Sequence, residues 1–333
     1  MGNSLINASG KKAATLKRHL IDLFVRLSHT LDPAVNKEML LKPEAQVWSI
    51  ILAAGGGSRV RAMTRGLDGT YVPKQFWALD GRQSLLERTM NRVERVVPQH
   101  RTVLVVAEEH SAWWTRQAAF VPPENLFVQP LDRGTAAGVF FPLLTILERD
   151  PDATVAVFPS DHVFEREEVV IAALRDAIGG VRDQHAEIAL LGMETEDVAL
   201  DCGWILPASD ARPFFKVASM VEKPEPNIAR DLHARGAIVN SMMLVATVRA
   251  LVRVMISALP ALSEGAARFR ACLDCAGLEA VYRPLPSFDF TRDVLQRCVR
   301  SLSALPVPQS GWADLGVPER LQKFLSASVG APA

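Results

Sequence analysis

From Trp48 onward the apolar residues fall into short continuous runs separated by longer stretches of helical period. Trp48-Ser49-Ile50-Ile51-Leu52-Ala53-Ala54 is the first run and has the pattern of a strand buried on both faces. Runs over Thr102–Val106, Phe127–Gln129, Thr154–Phe158, Ile188–Met193 and Phe215–Lys223 predict further strands. Between them the spacing predicts helices over Ser84–Val96, Ser111–Ala119, from the loop 130–135 to Glu148, and over Glu165–Ile178, the last ended by Gly179-Gly180. Ser84 with Glu87 three residues on reads as a capping box. Residues 247–259 predict one more helix, and 265–283 carry no clear period. Strand and helix alternating in this rhythm predict an α/β fold with a Rossmann-like, mainly parallel sheet and helices on both faces. Ahead of it, residues 1–10 read as disordered, and Leu16, Leu20, Leu23, Phe24 and Leu27 line one side of a helix over Lys11–Leu27. Asp32-Pro33 and Lys42-Pro43 mark a linker. The expected division is a helical extension over 1–45, a main domain over 46–320 and a tail over 321–333.

Composition narrows the function classes. Of 333 residues, 49% are apolar, enough for a sizeable core. Lys plus Arg and Asp plus Glu both number 37, so no global charge draws the chain to nucleic acid or to an anionic membrane. The four cysteines include one C-x-x-C, Cys272 to Cys275, without the second pair or histidine that a zinc site needs. Free thiols, no run of membrane-spanning length and no signal peptide lead to the expectation of a cytoplasmic protein. The Lys11–Leu27 helix then reads as a packing or partner helix.

The densest chemistry follows the first strand. Gly55, Gly56, Gly57 and Ser58 make a sharp turn, and Arg59, Arg61, Arg65 and Lys74 bring cations to the same segment. Glycine permits close backbone approach, and successive N–H groups in such a turn form a nest for an anion. A phosphate site is the reading; the alternative is a glycine-rich loop with surface arginines. The segment has neither the G-x-x-x-x-G-K-[ST] nor the G-x-G-x-x-G spacing, which excludes those two loop types. Farther on, Asp161 stands just past the strongest predicted strand, where open α/β sheets bind ligands; it is a candidate for magnesium or for a helix cap.

Gly55-Gly56, Arg59 and Pro73-Lys74-Gln75-Phe76 resemble the G-G-x-G-x-R and P-K signature of nucleotide-sugar pyrophosphorylases, most like the mannose-1-phosphate guanylyltransferase branch. Pro159-Ser160-Asp161-His162 resembles that family's P-A-D-H, Arg133-Gly134-Thr135 its R-G-T, Cys202-Gly203-Trp204-Ile205 its Y-G-Y-I and Val221-Glu222-Lys223-Pro224 its V-E-K-P. Asn240-Ser241 resembles N-S-G with Met242 in place of glycine, Ser287–Phe290 resembles S-I-D-Y, and Trp312–Gly316 resembles W-x-D-x-G. The resemblance spans about Trp48 to Gly316, with an altered loop at 60–63 and a longer run at 66–71.

The resemblance implies the nucleotide-diphospho-sugar transferase type of fold and a magnesium-dependent transfer of a nucleoside monophosphate from an NTP, GTP by this branch, to a sugar 1-phosphate such as mannose 1-phosphate. It implies catalytic roles for Arg59, Lys74, Asp161 and Asp314, with Mg2+ held by Asp161 and Asp314. Nucleotide contacts fall to Ala53, Gly55, Gly56, Gly57, Ser58, Gln75, Gly134 and Thr135. Sugar contacts fall to Gly203, Glu222, Lys223, Asn240 and Asp289, in a part of the domain around 200–300. His162 is expected to orient its neighbours rather than to act as a base. The implied partners are the two substrates; neither nucleic acid nor membrane is implied, and a homo-oligomer is compatible with the family. Another sugar or nucleotide within the class is one alternative. A non-catalytic homologue that binds sugar nucleotide and a partner protein is the other, motivated by Met242 and the 60–63 loop.

Overall fold

The computed structural model describes residues 46–65, 69–79, 81–196, 198–208, 213–271 and 275–329. The expected Lys11–Leu27 helix, its linker and Cys272 of the C-x-x-C pair lie outside the described residues.

Strand β1 (Val47–Ala53) lies between β2 (Thr102–Ala107) and β4 (Thr154–Pro159), parallel to both, and β3 (Leu126–Gln129) extends this parallel half at its edge. Successive β1 side chains serve opposite faces: Ile50 joins one core cluster and Ile51 the other, both fully buried. That is why the run is apolar throughout rather than alternating.

Helix α1 (Leu85–Glu94) starts at the expected capping box, with Ser84 Oγ accepting from Glu87 N–H at 3.1 Å and Glu87 Oε2 accepting from Ser84 N–H at 2.8 Å. It packs with α2 (Ser111–Gln117) on the Ile51 face. Trp113 and Trp114 pack there too, as expected. The opposite face carries α3 (Gly134–Arg149). Helix α4 (Glu167–Arg182) returns to the Ile51 face and runs through Gly179-Gly180, where the sequence predicts its end. Position 180 inside the helix is glycine because a Cβ there would run into the Phe214 ring.

Beyond β4 the sheet ceases to be mainly parallel. Strand β6 (Ile188–Met193), β7 (Trp204–Pro207), β8 (Phe215–Val221), β9 (Ile238–Thr247) and β10 (Leu302–Val307) complete a nine-stranded mixed sheet in the order β3-β2-β1-β4-β9-β6-β10-β8-β7. β9 pairs antiparallel with both β4 and β6. Its register slips opposite β6 between Leu190 and Gly192, and the polar pair Asn240-Ser241 breaks the apolar run of this doubly buried strand. Helix α5 (Pro226–Ala234) flanks β7, and α6 (Val248–Ala258) follows β9. The unreadable stretch 265–283 holds the end of α7 (Pro260–Ala271) and α8 (Cys275–Tyr282); Gly265 of α7 lies against Phe141 of α3.

A third, smaller cluster joins Val60, Leu85, Val163, Leu315 and Leu321, with Met63, Trp77 and Phe324 packed against it. Leu321 belongs to α9 (Pro318–Val329), so the boundary expected at 320 falls within a helix that packs into the domain. The altered loop at 60–63 supplies the partners of that helix through Val60 and Met63. Among the described residues no helix is long and apolar enough to cross a membrane.

Candidate active site

β1 and β4 are parallel neighbours, so the glycine turn after one and Ser160-Asp161 after the other emerge at the same edge of the sheet. Side chains pin both turns. Ser160 Oγ donates to the Leu52 carbonyl at 2.7 Å, and Gln75 Nε2 donates to the Ala53 and Gly55 carbonyls, each at 2.9 Å. Gly57 turns at φ 57° over Lys74, and the Tyr71 hydroxyl donates to the Gly56 carbonyl.

Asp314 arrives from the far end of the chain on a two-stranded ribbon. β5 (His162–Val163) pairs with β11 (Ala313–Asp314), setting Asp314 opposite His162. The Lys74 ammonium, 4% exposed, then lies 2.8 Å from Asp161 Oδ2 and 3.2 Å from Asp314 Oδ1. Burial alone would depress the Lys74 pKa; Asp161 and Asp314 more than reverse this and raise it. For Asp314, burial works against ionisation, but the charges around it hold the carboxyl down at about 2. Those charges are His162 first, then Lys74 and Arg320; burial in turn lowers the His162 pKa. Trp312 Nε1 donates to His162 Nδ1 at 3.2 Å, which leaves the ring proton on Nε2, 3.9 Å from Asp161 Oδ1. That geometry suits an orienting group.

A cavity of about 370 Å³ opens above this cluster. Its wall includes Arg59, Lys74, Asp161 and Asp314; Gly55, Gly57, Gln75 and Thr135; and Gly203, Glu222, Lys223, Asn240 and Asp289. Ala53, Gly56 and Gly134, expected as nucleotide contacts, do not line it. Gly134 answers a backbone demand: it has φ 76°, and a Cβ would strike the Phe288 carbonyl. The close approach lets Thr135 Oγ1 accept from Phe290 N–H at 2.8 Å and brings the 288–291 segment to the cavity. The Ser58 side chain lies outside what the structure describes.

The far end of the cavity is polar and tightly packed. Asn240 N–H donates to the Gly203 carbonyl at 2.8 Å, and a Cβ on Gly203 would come within 2.5 Å of Glu222 Oε2. Burial raises the Glu222 pKa against the pull of Lys223, whose ammonium is 3.4 Å away. Asn240 Oδ1 accepts from Met242 N–H at 3.2 Å and its Nδ2 donates to Thr291 Oγ1 at 3.4 Å; the Thr291 hydroxyl in turn donates to Met242 Sδ at 3.1 Å. Met242 has φ 61°, the left-handed region. A glycine at this position would therefore serve the backbone itself as well as any close approach of a ligand.

The sequence pattern of the nucleotidyl transferase family matches residues 48–327. The chain belongs to that family. Its similar curated proteins include the alginate biosynthesis protein AlgA of Pseudomonas syringae pv. tomato, 28% identical over 202 residues that are 59% of this chain and 40% of that protein. They also include the mannose-1-phosphate guanylyltransferase of Salmonella montevideo, 28% identical over 194 residues, 55% of this chain and 39% of the other. The aligned region thus spans about two fifths of the length of these relatives. Among solved structures, mannose-1-phosphate geranyltransferase from Thermus thermophilus superposes with a TM-score of 0.71 at 23% identity, covering 81% of this chain and 76% of that one. This establishes the α/β nucleotidyltransferase fold.

In this nucleotidyl transferase two carboxylate groupings could hold a cation. Asp161 and Asp314 both meet the Lys74 ammonium, and their hard oxygens are of the kind Mg2+ takes. Asp201, Cys202 and Asp314 also bring one ligand atom each within 4.8 Å of one another. The Cys202 thiol, pushed up to about 11 by burial, keeps its proton and is a poor magnesium ligand. Asp201, Thr291, Trp312 and Arg320 complete the site beyond the residues expected from sequence. Asp201 stood next to a matched motif; Arg320, on an amphipathic helix, had no signal of its own.

Proposed function

We propose that this protein transfers a nucleoside monophosphate from GTP to mannose 1-phosphate, forming nucleotide-sugar and pyrophosphate. The observation that carries the reading is Lys74 buried between Asp161 and Asp314 beneath a glycine turn, in a cavity whose wall also presents Glu222, Asn240 and Gly203. Polyphosphate belongs at the cationic end and sugar hydroxyls at the polar end. GTP and mannose 1-phosphate are favoured by the Gln75-Phe76 ending and by relatives that bear that activity in their names.

In the reaction an oxygen of the sugar phosphate attacks the α-phosphorus in line, a P–O bond forms, and the bond to the β-phosphate breaks to release pyrophosphate. The nucleophile is already anionic, so no strong base is required, in keeping with a neutral, hydrogen-bonded His162. Lys74 stabilises charge on the transferring phosphoryl group and Arg59 charge on the leaving pyrophosphate. Asp161 and Asp314 would hold Mg2+, which neutralises phosphate charge when bound. Glu222, Asn240 and the Gly203 backbone orient the sugar. A pyrophosphate-release screen of nucleoside triphosphates against sugar 1-phosphates tests the reading. GTP with mannose 1-phosphate is expected to give the highest kcat/KM, and no release from any pair would reject it.

Met242 gives a sharper test of the sugar end. Its side chain lines the cavity and its sulfur engages Thr291, so it takes volume beside Asn240. Met242→Gly relieves a left-handed backbone strain of roughly 1 kcal/mol, offset by lost packing. The variant is expected to fold normally and to accept a wider range of sugar 1-phosphates, with relative kcat/KM values shifting about 10-fold or more. An unchanged order and unchanged rates would remove Met242 from the sugar pocket.

A further inference from the structure

We infer that Asp201 is a positioning residue for Arg59, set in place by Arg320 from the C-terminal helix, and that the three form a relay holding one guanidinium ready for polyphosphate. The inference rests on the reading of the cationic end given above.

Arg59 sits on the glycine turn and is 52% exposed along its side chain. A free arginine on such a turn loses rotamer freedom when a ligand immobilises it. Here Arg59 Nη1 lies 3.7 Å from Asp201 Oδ2, so part of that ordering precedes the ligand. Gly316 makes the approach possible: a Cβ there would come within 2.9 Å of Asp314 Oδ1 and 3.2 Å of Arg59 Nη2.

A carboxylate on the wall of a polyphosphate site would by itself repel the substrate. Arg320 answers that cost. Its guanidinium donates to Asp201, lies 3.2 Å from Cys202 Sγ, and stands 3.8 Å from Asp314 Oδ2. With Asp314 counted, two carboxylates face two guanidiniums, so Arg320 offsets the negative charge that Asp201 brings to the wall. Asp201 and Arg59 line the cavity, and Arg320 stands behind the wall. Arg320 is adjacent to Leu321, fully buried in the third hydrophobic cluster, so its helix cannot shift without exposing that core. The relay therefore runs from a packed helix through Arg320 and Asp201 to a side chain on an otherwise open turn.

The test is a double-mutant cycle on the full chain. Inorganic triphosphate with magnesium serves as the titrant, since it carries no base and calls for no turnover. Arg59→Ala is expected to weaken binding about 10-fold or more in the otherwise unsubstituted protein, the scale of one charge-assisted contact. In an Asp201→Asn background the same change is expected to cost only about 2-fold, because Arg59 is no longer held. Asp201→Glu should restore most of the larger penalty. In steady state, Asp201→Asn should lower kcat with little rise in the KM for nucleotide, since lost orientation is partly offset by lost repulsion; a merely structural role would raise KM and lower the melting temperature. Equal Arg59→Ala penalties in the two backgrounds overturn the inference. A larger penalty with Asp201→Asn overturns it as well, because Asp201 would then compete with phosphate for Arg59. Coupling without pyrophosphate release from any substrate pair would reject the proposed reaction and keep the relay. Release without coupling would do the reverse, as would release by an unsubstituted protein that binds no triphosphate.

Discussion

Asp161→Asn and Asp314→Asn are each expected to lower kcat about 10³-fold while leaving the melting temperature within a few degrees of the parent. Asparagine keeps the shape of the side chain and removes its charge. In either variant Lys74 retains the other carboxylate, at 2.8 or 3.2 Å in the parent structure, so no buried ammonium is left without an ionic partner. The catalytic loss is larger because both carboxylates face the region where phosphate charge must be neutralised, and a cation held there by two anionic groups is held weakly by one. Rates measured across a magnesium titration, together with thermal melts, check this. Near-parental magnesium-dependent turnover in either variant would remove that residue from the metal site.

Lys74→Met should damage the protein in two ways that can be separated. Methionine matches the lysine stem in length, so packing is largely kept. What is lost is the cation shared by Asp161 and Asp314, and removing one partner of a buried charge group typically costs about 3–5 kcal/mol. Both carboxylates are partly exposed, with side-chain accessibilities of 31% and 22%, so the low end of that range is expected. Turnover should fall at least about 10²-fold through loss of charge stabilisation on the transferring phosphoryl group. Magnesium should restore part of the lost thermal stability, because a divalent cation can occupy the space between the carboxylates. A variant with unchanged melting temperature, or one whose melting ignores magnesium, would contradict the pairing.

The parallel half of the fold was legible because its strands are short apolar runs and its first helix opens on a capping box, Ser84 with Glu87. In the other half the runs at β6 and β8 were legible as well, while β7, β9 and β10 were not. β9 is buried on both faces and so does not alternate, and Asn240, Ser241 and a left-handed Met242 at a register slip break its apolar run. The glycines at 179–180 signalled a helix end, yet one of them is glycine because a phenyl ring from elsewhere needs the space. At the site, most residues of the recognisable motifs line one cavity, while Gly56 and Gly134 do not. Asp201 and Arg320 did not announce themselves, since what matters is their approach to Arg59 and Asp314, which depends on how α9 docks.

The ribbon between β5 and β11 has a consequence for the order of events during synthesis and refolding. His162 and Trp312, hydrogen-bonded across it, are separated by 150 positions along the chain. Closing a loop of that length costs roughly 4 kcal/mol of chain entropy, and a two-residue pairing cannot supply it alone. The ribbon must wait until the rest of the sheet has already brought its ends near. A ribosome-bound chain halted before β11 could therefore hold the parallel strands and the glycine turn in place while Lys74 faced a single carboxylate. In refolding, far-ultraviolet ellipticity should recover before activity does. The site is thus assembled by the most distant partner to arrive.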